Sequence, residues 1–262
     1  KMAKTVSILG CGWLGTALGR QLITKGYSVK GSAATNESYI KIEVSGIQAY
    51  YVKIEPESVI IDYNNFFNTD VLVIALPPRI NDVIDNYPKQ IGQFAQLISG
   101  TKVEKVIFVS STSVYQPWNG VVREGDEGYP SKANGKALLR AEKMLQALPR
   151  TKTTVVRLGG LIGYDRNPAR FLAGKNDVAG DTPVNLIHRD DAVQIIQTLI
   201  EKEVWGEVFN ACSPQHPSKR EFYTKAAAIS GLPVPHFNHS PENYKIVNSD
   251  KLVSWLGYTF KY

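Results

Sequence analysis

The stretch ILGCGWLGTALG, Ile8 to Gly19, decides the fold. It overlaps the end of an apolar run rich in β-branched residues, TVSIL from Thr5 to Leu9, and opens a segment in which Leu14, Leu18 and Leu22 recur at helical spacing. Gly10, Gly12 and Gly15 thus lie in GxGxxG spacing between a strand and a helix. The first glycine permits a tight turn, the second lets the backbone approach a pyrophosphate, and the third lets the helix pack closely. A lone GxGxxG is a weak signal and fits a plain strand-to-helix turn, but here strand, helix and position in the chain agree. A dinucleotide cradle is expected, with Trp13 and Leu14 among its contacts. Cys11 precedes a helix N-terminus, where a thiol pKa can fall, yet it reads better as small filler in a crowded turn.

Outward from this loop, short apolar runs alternate with longer stretches of helical period. YSVKG, QAYYVKI, DVLVIAL, VEKVIFVS and TTVVRL continue the series of strands. Gly26 ends the first helix as a left-handed cap, YPKQIGQFAQLISG reads as a helix ended by Gly100, and Lys132 to Leu148 is a third, with Leu138, Leu145 and Leu148 on one buried face. The alternation predicts an α/β fold with a doubly wound parallel sheet of the Rossmann, NAD(P)-binding type. After Arg157 the pattern loosens into Gly-, Pro- and Asn-rich loops around a helix from Asp191 to Ile200 and a strand EVFNAC. The expected division is a Rossmann domain over 1–158 and 184–210, and a small, irregular, discontinuous C-terminal substrate lobe over 159–183 and 211–262.

Composition narrows the function classes. No run approaches the ~18 apolar residues of a membrane helix. The amino-terminal residues enter a strand pattern without a signal-peptide layout, so no membrane role and a cytoplasmic location are expected. Cys11 and Cys212 make no disulfide framework and no zinc spacing, and His236 and His239 have no acidic or thiol company, so no metal is expected. The net charge of +6 comes from scattered Lys and Arg with no nucleic-acid motif; a phosphate-rich small molecule accounts for it equally well, and no nucleic-acid partner is expected.

About twenty residues past the glycines, an NAD-preferring site places Asp or Glu on the ribose 2′-hydroxyl. Here the chain reads KGSAATNES, with Ser32 at that position and Thr35 just beyond. Hydroxyls, with Lys30 or Lys41 nearby, tolerate a 2′-phosphate that a carboxylate repels, which favours NADP over NAD. The same residues also suit a helix cap.

The glycine loop, VIFVSSTSVYQP, the basic helix after YPSK and VNLIHRDDAVQIIQTLI, in this order, resemble the extended short-chain dehydrogenase/reductase superfamily, whose NAD(P)-dependent epimerases and dehydratases act on nucleotide sugars. The likeness spans nearly the whole chain, to IVNSDKLVSWLGY, and GCGWLG, ALPP, SSTSVY and HPSKREFY resemble most an atypical bacterial branch of epimerase-like proteins. The resemblance implies that Ser111 is the hydroxyl that polarises a substrate alcohol or carbonyl. It matches Lys136 to the lysine that binds the nicotinamide ribose and lowers the pKa of a tyrosine one helical turn earlier. Four residues before Lys136 stands Lys132, so YxxxK is absent. Tyr129, held outside the helix by Pro130, and Lys132 are the candidate proton donors, with water as a third.

The resemblance further places Leu76 and Pro77, in ALPPR, beside the nicotinamide ribose. Arg79 can hold a phosphate or carboxylate, as can Arg166 and Arg170 in the loop after the sixth strand, where α/β sheets present ligands. Asp190 and Asp191 are expected to cap a helix, with His188 beside them. The family often dimerises through the helix after Tyr129, which makes a homodimer the assembly to test. The implied activity is hydride transfer between NADP, or NAD, and a hydroxyl-bearing, phosphorylated or nucleotide-linked small-molecule substrate. The alternatives are a catalytically degenerate NADP-binding regulator or redox sensor, and a hydroxyacid-dehydrogenase-like reductase, which would continue into an all-helical second domain.

Overall fold

A computed structural model of the chain describes residues 4–55, 58–61, 65–78, 86–126, 129–240 and 243–262. Arg79 lies outside them. The main sheet is built from β1 (Thr5–Leu9), β2 (Ser28–Ala33), β3 (Gln48–Glu55), β4 (Ser58–Ile61), β5 (Val71–Ile74), β6 (Lys105–Ser111), β7 (Lys152–Leu158) and β8 (Val208–Ala211). Their order across the sheet is β8-β7-β6-β5-β1-β2-β3-β4. All neighbours are parallel except β4, which turns back antiparallel on β3. Each parallel step needs a crossover, and the helices α1 (Trp13–Thr24), α2 (Asn36–Val44), α3 (Asn86–Ser99), α4 (Ala133–Gln146) and α6 (Arg189–Glu201) supply them. Of the remaining helices, α5 (Ala169–Leu172) comes after β7, and α7 (Lys219–Ser230) and α8 (Asp250–Leu256) come after β8.

Side chains alternate across the sheet with period two, and both faces are apolar because helices cover both. Val6, Ile8, Val71, Val73 and Ile107 pack towards α1 and α6. Leu9, Leu72, Ile74, Val106 and Phe108 pack towards α3 and α4. This two-faced burial explains why the strands read as continuous apolar runs rather than as alternating ones.

Outside the main sheet lie three short parallel pairs: Gly160–Ile162 with Leu186–His188, Val178–Ala179 with Phe237–Asn238, and Gly120–Val122 with Lys245–Val247. The last pair ties the segment after β6 directly to the carboxy-terminal region. The second half of the chain contains β7 and β8 and is not all-helical, so it lacks the domain that a hydroxyacid-dehydrogenase-like reading needs.

α7 lies almost wholly in a stretch, 221–230, to which the sequence reading assigns no element. Ser218 accepts from the Glu221 amide as its cap, and Gly231, at φ 63°, ends it. The Ser-x-x-Glu spacing is the signal that announces such a helix.

Candidate active site

The order reverses between β5 and β1, and there the glycine loop leaves the carboxyl end of β1. Gly10 has φ 91°, and a Cβ on it would lie 2.7 Å from the Ala75 carbonyl oxygen. At Gly15 a Cβ would lie 2.5 Å from the Gly10 oxygen, so this glycine lets α1 sit on its own loop. Gly12 is different: it is exposed, and nothing lies within 4 Å of a Cβ built there. Gly12 is also the N-cap of α1, and no side chain caps that helix and no acid stands in its first turn. Amides left unpaired at a helix N-terminus, facing open space over a glycine, suit the pyrophosphate of a dinucleotide.

Ser32 is buried at the end of β2, and its hydroxyl oxygen accepts from the Gly10 amide at 2.8 Å, so it braces the first turn of the cradle. Thr35 caps α2 in a reciprocal capping box with Ser38. Lys30 donates to the carbonyls of Asn65 and Asn68, and Lys41 pairs with Glu37 at 2.6 Å, so both cations are engaged locally. Leu76 and Pro77 follow β5 beside the glycine loop; the Leu76 side chain would touch a Cβ on Gly10, and the Leu76 carbonyl accepts from the buried Tyr87 hydroxyl.

Ser111 ends β6, half-buried, and its oxygen accepts from the Ser113 amide at 3.1 Å, capping a 3₁₀ turn over Thr112–Val114. α4 docks against that turn: a Cβ on Gly135 would lie 2.1 Å from the Ser113 carbonyl oxygen, so only glycine fits. The N-cap of α4 is Lys132. Both Lys132 and Lys136 are exposed in this first turn, and neither forms an ion pair among the described residues. Tyr129 lies before the helix and is 61% exposed. The structure thus brings Ser111, Lys132 and Lys136 to one end of α4, and leaves the Tyr129 phenol largely in solvent.

Beneath Ser111 lies a buried polar network. Arg157 donates to both carboxylate oxygens of Glu142 (3.1 and 2.7 Å) and to the Tyr115 hydroxyl (2.7 Å). Ser110 donates to Glu142 at 2.6 Å, and Tyr115 donates to Asn210 at 2.7 Å. Burial works against the Arg157 charge, but Glu142 outweighs it and holds the guanidinium pKa above its ordinary value.

The loop after Gly160–Ile162 returns to the cradle. Gly163 has φ 119° and leaves no room for a Cβ beside the His188 ring. Trp13, first residue of α1, donates its indole N–H to Asp165 at 2.6 Å, and the guanidinium of Arg166 lies 4.3 Å from its ring centre. Arg189 approaches the same ring at 4.7 Å and Tyr164 at 4.1 Å. Arg166 therefore stands over the head of α1, while Arg170, on α5, is exposed. Arg189 was missed in the sequence because only the fold brings α6 beside α1.

The cap of α6 also differs from expectation. His188, not an aspartate, is the N-cap, with Nδ1 accepting from the Asp190 amide at 3.2 Å. Asp191 is fully buried and instead accepts from the Tyr258 hydroxyl (2.6 Å) and the amides of Lys261 (3.0 Å) and Tyr262 (3.2 Å). Two carboxyl-terminal amides give this carboxylate better partners than its own helix does. Cys11 is buried against Gly31, and burial pushes its thiol up to about 11, which makes it filler rather than nucleophile. Among the described residues no group of three or more His, Cys, Asp or Glu side chains gathers as metal ligands, and no helix is long and apolar enough to cross a membrane.

No protein-family model matches the chain. Protein YeeZ of Escherichia coli (strain K12) is 34% identical over 264 residues, covering 99% of this chain and 96% of that protein. The chain belongs to the YeeZ family. Solved structures supply the fold around that family. UDP-N-acetylglucosamine 4-epimerase from Bacillus cereus superposes with a TM-score of 0.81 at 13% identity, over 99% of this chain and 95% of that one. MoeE5 in complex with UDP-glucuronic acid and NAD gives 0.78 at 16% identity, over 99% and 94%. A functionally unknown conserved protein from Silicibacter pomeroyi gives 0.78 at 23% identity, over the same shares. The YeeZ-family chain has the Rossmann-type α/β fold that these epimerase structures share, as its motifs implied.

Proposed function

We propose that this protein binds a nicotinamide dinucleotide, with NADP preferred, and acts as an epimerase-like oxidoreductase on a hydroxyl-bearing, phosphorylated or nucleotide-linked small molecule. The observation that carries this reading is the open face of Gly12 over the uncapped N-terminus of α1, at the same sheet edge as Ser111. The nucleotide-sugar and NAD complexes of structural neighbours agree in kind. When bound, the nicotinamide ring supplies hydride exchange. The chain's own residues bind and orient: the α1 amides take the pyrophosphate, Leu76 and Pro77 flank the nicotinamide ribose, and Arg166 and Arg170 face the substrate's anionic part. Ser111 hydrogen-bonds the reacting oxygen, Lys136 holds the ribose, and Tyr129 or Lys132 returns the proton. The preference for NADP rests on the absence of a carboxylate in Ser32–Thr35, since Lys30 and Lys41 are otherwise engaged.

The 1–158/184–210 and 159–183/211–262 division, a homodimer through α4 and a cytoplasmic location belong to the same reading; two buried, unpaired thiols suit a reducing compartment. A second reading, a NADP-binding regulator without turnover, is favoured by the missing YxxxK and the exposed Tyr129. Calorimetric titration with NADPH and NADH tests the cradle, and no binding of either sinks both readings. Reduction of bound NADP by any member of a panel of sugar nucleotides and hydroxy acids, abolished in Ser111→Ala and weakened in Lys136→Ala, selects the enzyme. A silent panel with intact NADPH binding selects the regulator.

A further inference from the structure

Lys132, Lys219 and Lys245 come from three separate segments: Lys132 and Lys245 flank the turn that Ser111 caps, and residues 182–185 link the Lys219 segment to the Lys245 strand, through the Lys219 amide on the Thr182 carbonyl and the Asn185 side-chain amide on the Lys245 carbonyl. Lys245 reaches across from the Lys245–Val247 strand, and its Nζ donates to the carbonyls of Thr112 at 2.6 Å and Tyr115 at 2.8 Å. An ammonium has three donors, so one remains for a ligand. Lys132 is the N-cap of α4, the helix whose Gly135 abuts the Ser113 carbonyl. Lys219 is the first residue of α7, half-buried, with its backbone amide fixed on the Thr182 carbonyl.

Among the described residues none of the three has an acidic partner. Burial, then the charge of Lys132, hold the Lys245 ammonium down to about 8, and the same two causes lower Lys219. Three other partly buried lysines have acid partners: Lys4 and Lys105 pair with Glu203, and Lys251 with Glu207. Three cations gathered without a counter-charge repel one another, and a bound anion removes that cost.

We propose that Lys132, Lys219 and Lys245 form an oxyanion site that holds a carboxylate or phosphate group carried by the substrate, one turn away from the Ser111 hydroxyl. The site deepens the reading given above and rests on Ser111 being the group that meets the reacting oxygen. It restricts the substrate to an acidic or phosphorylated molecule whose anionic group lies near the reacting carbon, in addition to any phosphate held by the arginines. Lys132 then serves as a binding charge rather than as the proton donor.

The test uses the full chain saturated with NADPH, which occupies the α1 cradle and removes it as a rival phosphate site. Inorganic phosphate and methyl phosphate are titrated calorimetrically into the wild type and into Lys132→Ala, Lys219→Ala, Lys132→Arg and Lys219→Arg variants. Thermal unfolding confirms that each variant folds; Lys245 is left intact because it also holds the Ser111 turn. Both anions are expected to bind the wild type, with affinity reduced about tenfold or more in each alanine variant, the worth of one charge-assisted contact, and retained in the arginine variants. The proposal is overturned if phosphate does not bind, if the alanine variants bind it as the wild type does, or if methyl phosphate is excluded while the free ion binds. NADPH affinity is read in parallel. Its loss condemns the cofactor reading, whereas intact NADPH binding without phosphate binding condemns the lysine site alone.

Discussion

Removing the Glu142 carboxylate should be among the most damaging single changes in this protein, because it is buried among groups that depend on it. Glu142 is 1% exposed and accepts three hydrogen bonds, two from Arg157 and one from Ser110. Arg157 is itself buried, with 8% of its side chain exposed, and its third hydrogen bond goes to the neutral Tyr115 hydroxyl. Glu142→Ala therefore leaves a buried cation without its counter-charge and a buried serine hydroxyl without its acceptor. Breaking a buried pair from one side costs about 3–5 kcal/mol. A chain of this size loses about 2–4 °C of melting temperature per kcal/mol, so the expected drop is roughly 6–20 °C. Urea unfolding followed by circular dichroism measures the free energy directly, with the slope checked so that a change in the unfolded state is not misread. The double variant Glu142→Leu/Arg157→Met removes both charges, fills similar volume, and should recover to within about 1 kcal/mol of the wild type or exceed it. A Glu142→Ala loss below about 1 kcal/mol, or a double variant as unstable as the single, would refute the view that the uncompensated Arg157 charge sets the cost.

The two cradle glycines should separate binding from folding. Gly12→Ala meets nothing in the protein, so its melting temperature should hold while calorimetry shows NADPH affinity reduced at least tenfold; Gly15→Ala, facing the Gly10 carbonyl at 2.5 Å, should lower both. Asp191→Ala strands the Tyr258 hydroxyl and the amides of Lys261 and Tyr262, and should cost about 1–3 kcal/mol in denaturant unfolding, with faster hydrogen exchange at the last residues. Glu203 resists the effect of burial through hydrogen bonds from Lys105, Lys4 and Trp205, which hold its carboxyl at about 2. A depressed carboxyl contributes stability that is full above its ordinary 4.5 and lost as pH falls through about 2; Glu203→Gln should flatten the acid limb of the stability curve over that window.

What the sequence disclosed divides along a physical line. Leu14, Leu18 and Leu22 repeat at the period of α1, and the apolar runs of β1, β5 and β6 carry the chemistry of strands buried on both faces, so periodicity alone located them. Gly10, Gly12 and Gly15 were legible because a turn, a close approach and an open face each impose a local demand on the backbone. Ser32 was found as a position but not as a contact: whether its hydroxyl faces a ribose or the Gly10 amide depends on a strand 22 residues away. Lys245 was invisible for the same reason in stronger form. Its two acceptors stand 133 and 130 residues earlier, and one lysine in a polar segment carries no local pattern. Arg166 was singled out for its place after β7, yet its stacking on Trp13 required the loop at Gly163 and Tyr164 to turn back through positive φ. Chain-local physics thus reaches the cofactor cradle. The substrate side is assembled from residues whose meaning exists only once β6, α4, α7 and the carboxy-terminal strand have met, and there a cluster of lysines with no acidic partner among the described residues says more than any motif.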